Sequence, residues 1–430
     1  MTSFPLVTPD IALGPADLVM PADPPACFRA ATPRNVSVDL LRGAVMVLMA
    51  LDHAHFFFRT GDSVPEYLPG SSPALFFTRW ITHFCAPAFF FLAGTGAFLS
   101  FARGGKTISQ VSRYLWTRGL WLIVMSFTIV GFAWVSLFPF VHGGVLWALG
   151  LSMILMAAIV RLPLRWIAAL GVGIMVTHNL LDGVAPSSFG RFAVVWSILH
   201  YPGTYPIGFH HYFFTLFTVI PWVGVMAAGY AFGAVLLRPD RRSVSLLLGW
   251  SITVAFFVLR AWNHFGNSSA DLGGAFPGSH YSGGPWSSQA TIGLTLVSFF
   301  NTLKYPASLQ FLLMTLGPVL LALAWLDRVN PTQRPARILL VYGRVPLFYY
   351  VLHLLFFHTL AVYVALEFHQ RAAWLLYGGP LLMPIPRGYG HGLPFIYAMW
   401  LLVVILLYWP CKWFMNLKQQ HPDWWWLRYL

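Results

Sequence analysis

Ten apolar runs, each about long enough to cross a bilayer, leave this chain very few possible folds. They fall at roughly 36–58, 74–102, 109–136, 143–160, 165–182, 212–237, 243–262, 306–327, 338–366 and 395–416. A run of about 18 apolar residues with few charges suffices for a spanning helix. Lipid offers no hydrogen bonds, so each run must satisfy its backbone internally, as a helix does. Only 9% of the residues are charged, against about 25% in a soluble domain. The sequence therefore predicts an all-α polytopic integral membrane protein of about ten transmembrane helices.

A formal net charge of +13 would suit a nucleic-acid partner, but its distribution does not. The basic residues concentrate in alternate short loops, including "FARGGK", "RLPLR", "RPDRR" and "DRVNPTQRPAR". Loops of that kind stay in the cytoplasm. The expected partner is thus the lipid bilayer, with no nucleic acid and with both termini cytoplasmic. Residues 1–35 show no basic-then-apolar signal pattern and are expected as a mobile cytoplasmic tail. Residues 36–416 form one transmembrane domain, and 417–430, ending "WWWLRYL", form an aromatic and basic anchor. Cys27, Cys85 and Cys411 have no disulfide or zinc spacing.

The first span, "DLLRGAVMVLMALDHAH", carries Asp39, Arg42, Asp52, His53 and His55. Eleven residues return a helix to within about 20° of the same face, about 16 Å along its axis. Arg42 and His53 therefore share one stripe, with Arg42 near the cytoplasmic side. Asp39, three residues before Arg42, can pair with it. Charged groups at mid-bilayer cost at least about 2.5–3.5 kcal/mol and tend to mark polar interiors. The alternative for Arg42 alone is snorkelling to the interface.

In the second span, "TRWITHFCAPAFFFLAGTGAFL", His83 comes at a depth similar to His53. Ala93, Gly94, Gly96 and Ala97 permit close helix approach, with the first span as the expected neighbour. Asp52, His53 and His83 then fall within mutual reach, and a carboxylate beside an imidazole strengthens it as a base. A core histidine satisfied by a backbone carbonyl is the alternative for each ring alone. Arg344, near the cytoplasmic side of the ninth span, and Arg42 can bind phosphate or carboxylate. Pro346 disturbs the helix after Arg344, so its phase relative to His353 is not legible. Asp182, His178 and His358 lie toward the outer side, where an acceptor site is expected.

The spacing R-x10-H across Arg42 and His53 is similar to the signature of the transmembrane acyltransferase superfamily. The strings "SVDLLRGAVMVLMALDHAHFF", "ALFFTRWITHFCAPAFFFLAG", "IPWVGVMAAGYAFG", "KYPASLQFLLMTLGP" and "YGRVPLFYYVLHLLFFH" resemble more closely a bacterial family of heparan-α-glucosaminide N-acetyltransferase-like membrane proteins. That resemblance covers most of 34–430. It implies transfer of an acyl group, acetyl by expectation, from cytoplasmic acyl-CoA to a hydroxyl or amine on the other face of a bacterial inner membrane. Carbohydrate, glycolipid and small-molecule acceptors all fit. It also implies His53 as the catalytic position and Arg42 as the signature arginine. One departure stands out. In the human-type lysosomal enzyme the resemblance puts asparagine at the position of His53 and the catalytic histidine in the following loop. Here that loop, "RTGDSVPEYLPGSSP", has no histidine, so the heparan substrate is not carried over.

The expected site is therefore His53 as base, supported by Asp52 or His83, with Arg42 and Arg344 on the donor. Acyl-CoA is the expected co-substrate, and no metal is expected. Two other classes remain open at this point. In-membrane Asp, His and Arg suit a proton-coupled transporter, and His53, His83, His353 and His358 suit haem ligation.

Overall fold

The computed structural model describes residues 35–61, 71–135, 140–208, 211–268, 283–379 and 383–429. Except for Asn35, the tail expected over 1–35 lies outside these residues, as does Cys27.

The first half of the chain comprises α1 (Val36–Phe58), α2 (Pro73–Trp80), α3 (Cys85–Gly104), α4 (Ile108–Met125) and α5 (Gly131–Val135). Strand β1 (Phe140–Gly143) precedes α6 (Val145–Ile159), α7 (Leu164–Thr177) and α8 (Ala193–Leu199). Strands β2 (Gly203–Gly208) and β3 (His211–Thr215) lead into α9 (Val219–Val235) and α10 (Arg241–Trp262). The rest comprises α11 (Ile292–Phe300), α12 (Leu309–Leu326), α13 (Arg334–Arg344), α14 (Pro346–Glu367) and a last long helix, Leu393–Gln420. Eight of these helical stretches are long and apolar enough to cross a membrane, and α6 and α9 are shorter apolar helices. Together they account for the ten apolar runs. The small sheet has the order β1-β3-β2, parallel then antiparallel.

Polar residues start the helices where the apolar runs begin. The Asn35 side chain accepts from Val38 N, and Ser308 from Phe311 N. Thr107 and Gln110 form a capping box at α4. Each satisfies an amide that the first helical turn leaves open.

Packing then depends on closeness rather than on hydrophobicity, because lipid tails are as apolar as leucine. Helices α1 and α13 meet at Gly43 and Gly343. A Cβ at Gly43 would overlap Leu339 O, and one at Gly343 would overlap Asp39 O. Helix α3 does approach α1, where Cys85 Sγ lies 3.5 Å from Val45 O, but its closest glycine contact is with α9. Gly94 meets Met226 and Tyr230 of α9, and Gly229 of α9 meets Phe91, with Thr95 donating to Gly229 O at 2.8 Å. Ala93, Gly96 and Ala97 instead line a cavity shared with Arg42, Met46 and Met49 of α1, so the four small residues divide between two faces.

The outward faces have the opposite character. Leu247, Trp250, Val254, Val258 and Trp262 of α10 are all exposed at helical spacing. So are Leu401, Ile405, Trp409 and Trp413 of the last long helix. In water such patches would drive aggregation, whereas in a bilayer they contact lipid.

Arg260, near the end of α10, is only 1% exposed. It donates to Phe299 O (2.6 Å), Ser298 O (2.9 Å), Gly284 O (3.0 Å), Gln310 Oε1 (3.1 Å) and Asn301 O (3.2 Å). One guanidinium thereby holds the 284–310 connection in place. Arg260→Met strands those buried acceptors and is expected to destabilise the fold by at least about 3 kcal/mol. A fall in the melting temperature of detergent-solubilised protein measures it.

Candidate active site

Helix α1 is continuous from Val36 to Phe58, so Arg42 and His53 do lie on one stripe. His53 Nδ1 lies 2.6 Å from Nε2 of His353 on α14, and the two rings stack at 4.9 Å. His353 Nδ1 lies 2.7 Å from Tyr349 O. A carbonyl oxygen can only accept, so Nδ1 of His353 carries a proton. In a neutral ring its Nε2 then accepts, and His53 Nδ1 must donate to it. The lone pair of His53 is left on Nε2. A backbone carbonyl thus sets, through His353, which nitrogen of His53 is basic. Trp134 stands edge-on to His53 at 5.0 Å and Tyr350 at 6.0 Å. Trp134 follows a π-helical turn at Ser126–Val130, a distortion often found near functional sites.

On the other part of the stripe, Arg42 Nη1 lies 3.3 Å from Asp39 Oδ1 and donates to Gly343 O at 3.2 Å. Arg344 Nε lies 3.9 Å from Asp39 Oδ2. One buried carboxylate therefore serves both arginines, across the Gly43–Gly343 contact. Val345 (φ −131°, ψ 48°) breaks the helix between α13 and α14, which is how Arg344 and His353 acquire independent directions.

A cavity of about 830 Å³ opens at the arginine end of the stripe, and neither His53 nor His353 lines it. Arg42, Lys106, Arg113, Arg118, Arg344 and Lys418 supply six cations to its wall. Met46, Met49, Ala93, Gly96, Ala97 and Tyr350 supply apolar and small surface. Met49 is one helical turn before His53, and Tyr350 is nearly one turn before His353. The cavity thus runs from a cationic region toward the histidine pair.

The other expected residues have different neighbours. Asp52, one position from His53 and so about 100° around the helix, forms a close ion pair with Arg79. It also accepts from Thr82 Oγ1 at 2.8 Å. His83 sets its ring 5.6 Å from that of Phe311. The buried Lys304 interacts electrostatically with His53, His83 and Cys85. His358 donates from Nδ1 to Ala133 O at 2.6 Å, tying α14 to α5. With His53 and His353 bonded to each other, these two rings do not form a pair flanking a haem iron.

His178 and Asp182 do come together, with His200 as a third member. Asp182 Oδ1 lies 2.9 Å from His200 Nε2, and Oδ2 accepts from Asn179 Nδ2 (2.8 Å) and Ser268 Oγ (2.6 Å). Burial alone would raise the Asp182 carboxyl, but hydrogen bonds from His200, Ser268 and Asn179 outweigh it and hold it below its ordinary value.

Three groups here were missed by the sequence reading: His353 as the partner of His53, Arg79 as the partner of Asp52, and Lys304. The last two carry no role in the sequence analysis. The one available signal was that Arg79 lies six residues inside an apolar run.

Helical stretches long enough to span a bilayer, enclosing buried ionisable groups and a cavity, define an integral membrane protein of enzyme-like organisation. The chain belongs to the family described as heparan-alpha-glucosaminide N-acetyltransferase, catalytic, whose family model matches residues 34–266. No curated relative matches the chain. The matched stretch includes Arg42, Asp52, His53 and His83 and ends before Arg344 and His353. Membership supports a membrane transferase of the acetyltransferase kind.

Proposed function

We propose that this protein transfers an acyl group, acetyl by preference, from acyl-CoA to a hydroxyl or amine of a carbohydrate, glycolipid or small-molecule acceptor. The observation that carries this reading is the Tyr349 O–His353–His53 chain beside the inner end of a cavity whose wall bears six cations. The phosphate-bearing head of the donor sits among Arg42, Arg344 and their basic neighbours, where guanidinium groups suit phosphate. The pantetheine arm follows Met46, Met49 and the small face of α3 toward His53.

There His53 Nε2 removes the acceptor proton as the acceptor atom attacks the thioester carbonyl. The new C–O or C–N bond forms, the C–S bond breaks, and the departing thiolate takes the proton from His53. His353 positions His53 throughout. Asp52, neutralised by Arg79, and His83 border the reaction centre and shape its field. Donor entry from the cytoplasm and acceptor entry from the opposite face of a bacterial cytoplasmic membrane complete the proposal.

The test uses the full chain in lipid nanodiscs, supplied with acetyl-CoA and a panel of sugar, glycolipid and amine acceptors. Free CoA, followed with a thiol reagent, is expected to accumulate only when a competent acceptor is present. A folded protein that neither binds nor consumes acyl-CoA overturns the enzyme reading and favours the transporter.

Gly96 offers a narrower test. It lines the cavity, and a Cβ there meets nothing within 4 Å. Gly96→Phe is expected to fill the donor channel without disturbing packing, raising the donor KM about tenfold or more (~1.4 kcal/mol). Steady-state kinetics against acetyl-CoA measure it, with the melting temperature as control.

A further inference from the structure

The His178–Asp182–His200 cluster takes no part in the acyl-transfer step, and we propose that it is a divalent-cation site, best suited to Zn²⁺. It lies at the end of α7 opposite Arg165. His178 opens the 3-10 turn His178–Leu181, Asp182 follows that turn, and His200 caps α8. Each residue offers one ligand atom, and the three atoms lie within 4.8 Å of one another. Among the described residues, this is the one group of three or more His, Cys, Asp or Glu arranged in that way.

A second observation points to a ligand. His178 is 2% exposed and His200 is fully buried. Both ring nitrogens of His178 and Nδ1 of His200 are buried without a hydrogen-bond partner. Buried polar atoms without partners are unfavourable, and a cation here gives one nitrogen of His178 the partner it lacks. The carboxylate is already dressed for ligation. Its second oxygen is held by Asn179 and Ser268, and Asn179 Oδ1 is itself fixed by Leu309 N at 2.8 Å. Metal ligands are commonly oriented by such outer partners.

The chemistry of the donors selects the ion. Two imidazoles and one carboxylate suit zinc, whereas calcium and magnesium prefer shells made of oxygen. Tetrahedral bonds of ~2.0–2.1 Å place neighbouring ligand atoms ~3.3 Å apart. Asp182 Oδ1 and His200 Nε2, at 2.9 Å, are near that spacing, so an ion replaces their hydrogen bond with a small outward shift. Three protein ligands leave a fourth position for water. His178 and Asp182 form a helical i, i+4 pair, but His200 comes 18 residues later, so local spacing does not announce the site.

Metal content decides the matter. The full chain, purified without a polyhistidine tag and reconstituted in nanodiscs, is expected to carry one zinc per chain by mass spectrometry. After stripping with a chelator, added Zn²⁺ should restore that content and raise the melting temperature. Content and thermal shift should both vanish in His178→Ala and in His200→Ala and persist in His53→Ala. If those two variants do not fold, Co²⁺ is titrated into the stripped wild-type chain. The visible absorption of four-coordinate cobalt, displaced by zinc, supports the site. Stripped wild-type protein that takes up neither ion overturns it, as does equal zinc uptake by the folded His178→Ala and His200→Ala chains.

Discussion

Replacing His53 with alanine is expected to lower kcat by about 10²–10⁴-fold, the range for removing a general base, with little change in donor KM. The arrangement predicts this split because His53 lies beyond the cationic wall proposed to hold the donor. His353→Ala should fall in the same direction but less far. The base survives, yet Nδ1 of His53 loses the acceptor that fixed its tautomer. His353→Gln restores an acceptor and should recover part of the rate, an outcome that a purely structural role for His353 does not predict. Asp52→Asn serves as the contrast. Its effect should appear in melting temperature, through the buried pair with Arg79. Single-turnover release of CoA, measured on all four variants, ranks them. A His53→Ala chain with wild-type turnover would sink the mechanism.

Gly343→Leu is expected to have the largest effect on folding. Its Cβ would overlap Asp39 O and press on Gly43 N, and both atoms are backbone, so no side chain can rotate away. Overpacking of this kind costs about 1–3 kcal/mol, occasionally more, and here it pries α13 from α1. Arg42, which donates to Gly343 O, and Arg344 would separate with the helices, so any chain that still folds should bind donor poorly. Gly173→Ala is the matched control, because a Cβ there meets nothing within 4 Å and alanine favours helix by ~0.5–1 kcal/mol. Yield of monodisperse protein and melting temperature should therefore move in opposite directions for the two glycines.

Much of this organisation is legible in the primary structure, and the reasons are local. Run length and low charge identify the helices, and the 3.6-residue period puts Arg42 and His53 on one stripe and Asp39 beneath Arg42. What escapes is every choice of distant partner. Gly94 meets α9, not α1, and Asp52 meets Arg79, not His53, because one step along a helix turns a side chain by about 100°. His353 reads as a lone ring within a span. The break at Val345 resets the helical phase, and only tertiary packing delivers its Nε2 to His53. The His178–Asp182–His200 cluster escapes for the same reason, since its third member arrives through a separate helix.

The two rings of the His53–His353 pair are separated by 300 residues of chain. During synthesis at about 5–20 residues per second, that separation is a delay of ~15–60 s. For that interval α1 can be in place with Arg42 and His53 while the partner that sets the His53 tautomer is still missing. A chain cut short before α14 would keep all of the matched stretch, residues 34–266, yet lack His353. On the proposed mechanism, the pairing ties the setting of the base to completion of the last fifth of the chain, from Pro346 onward.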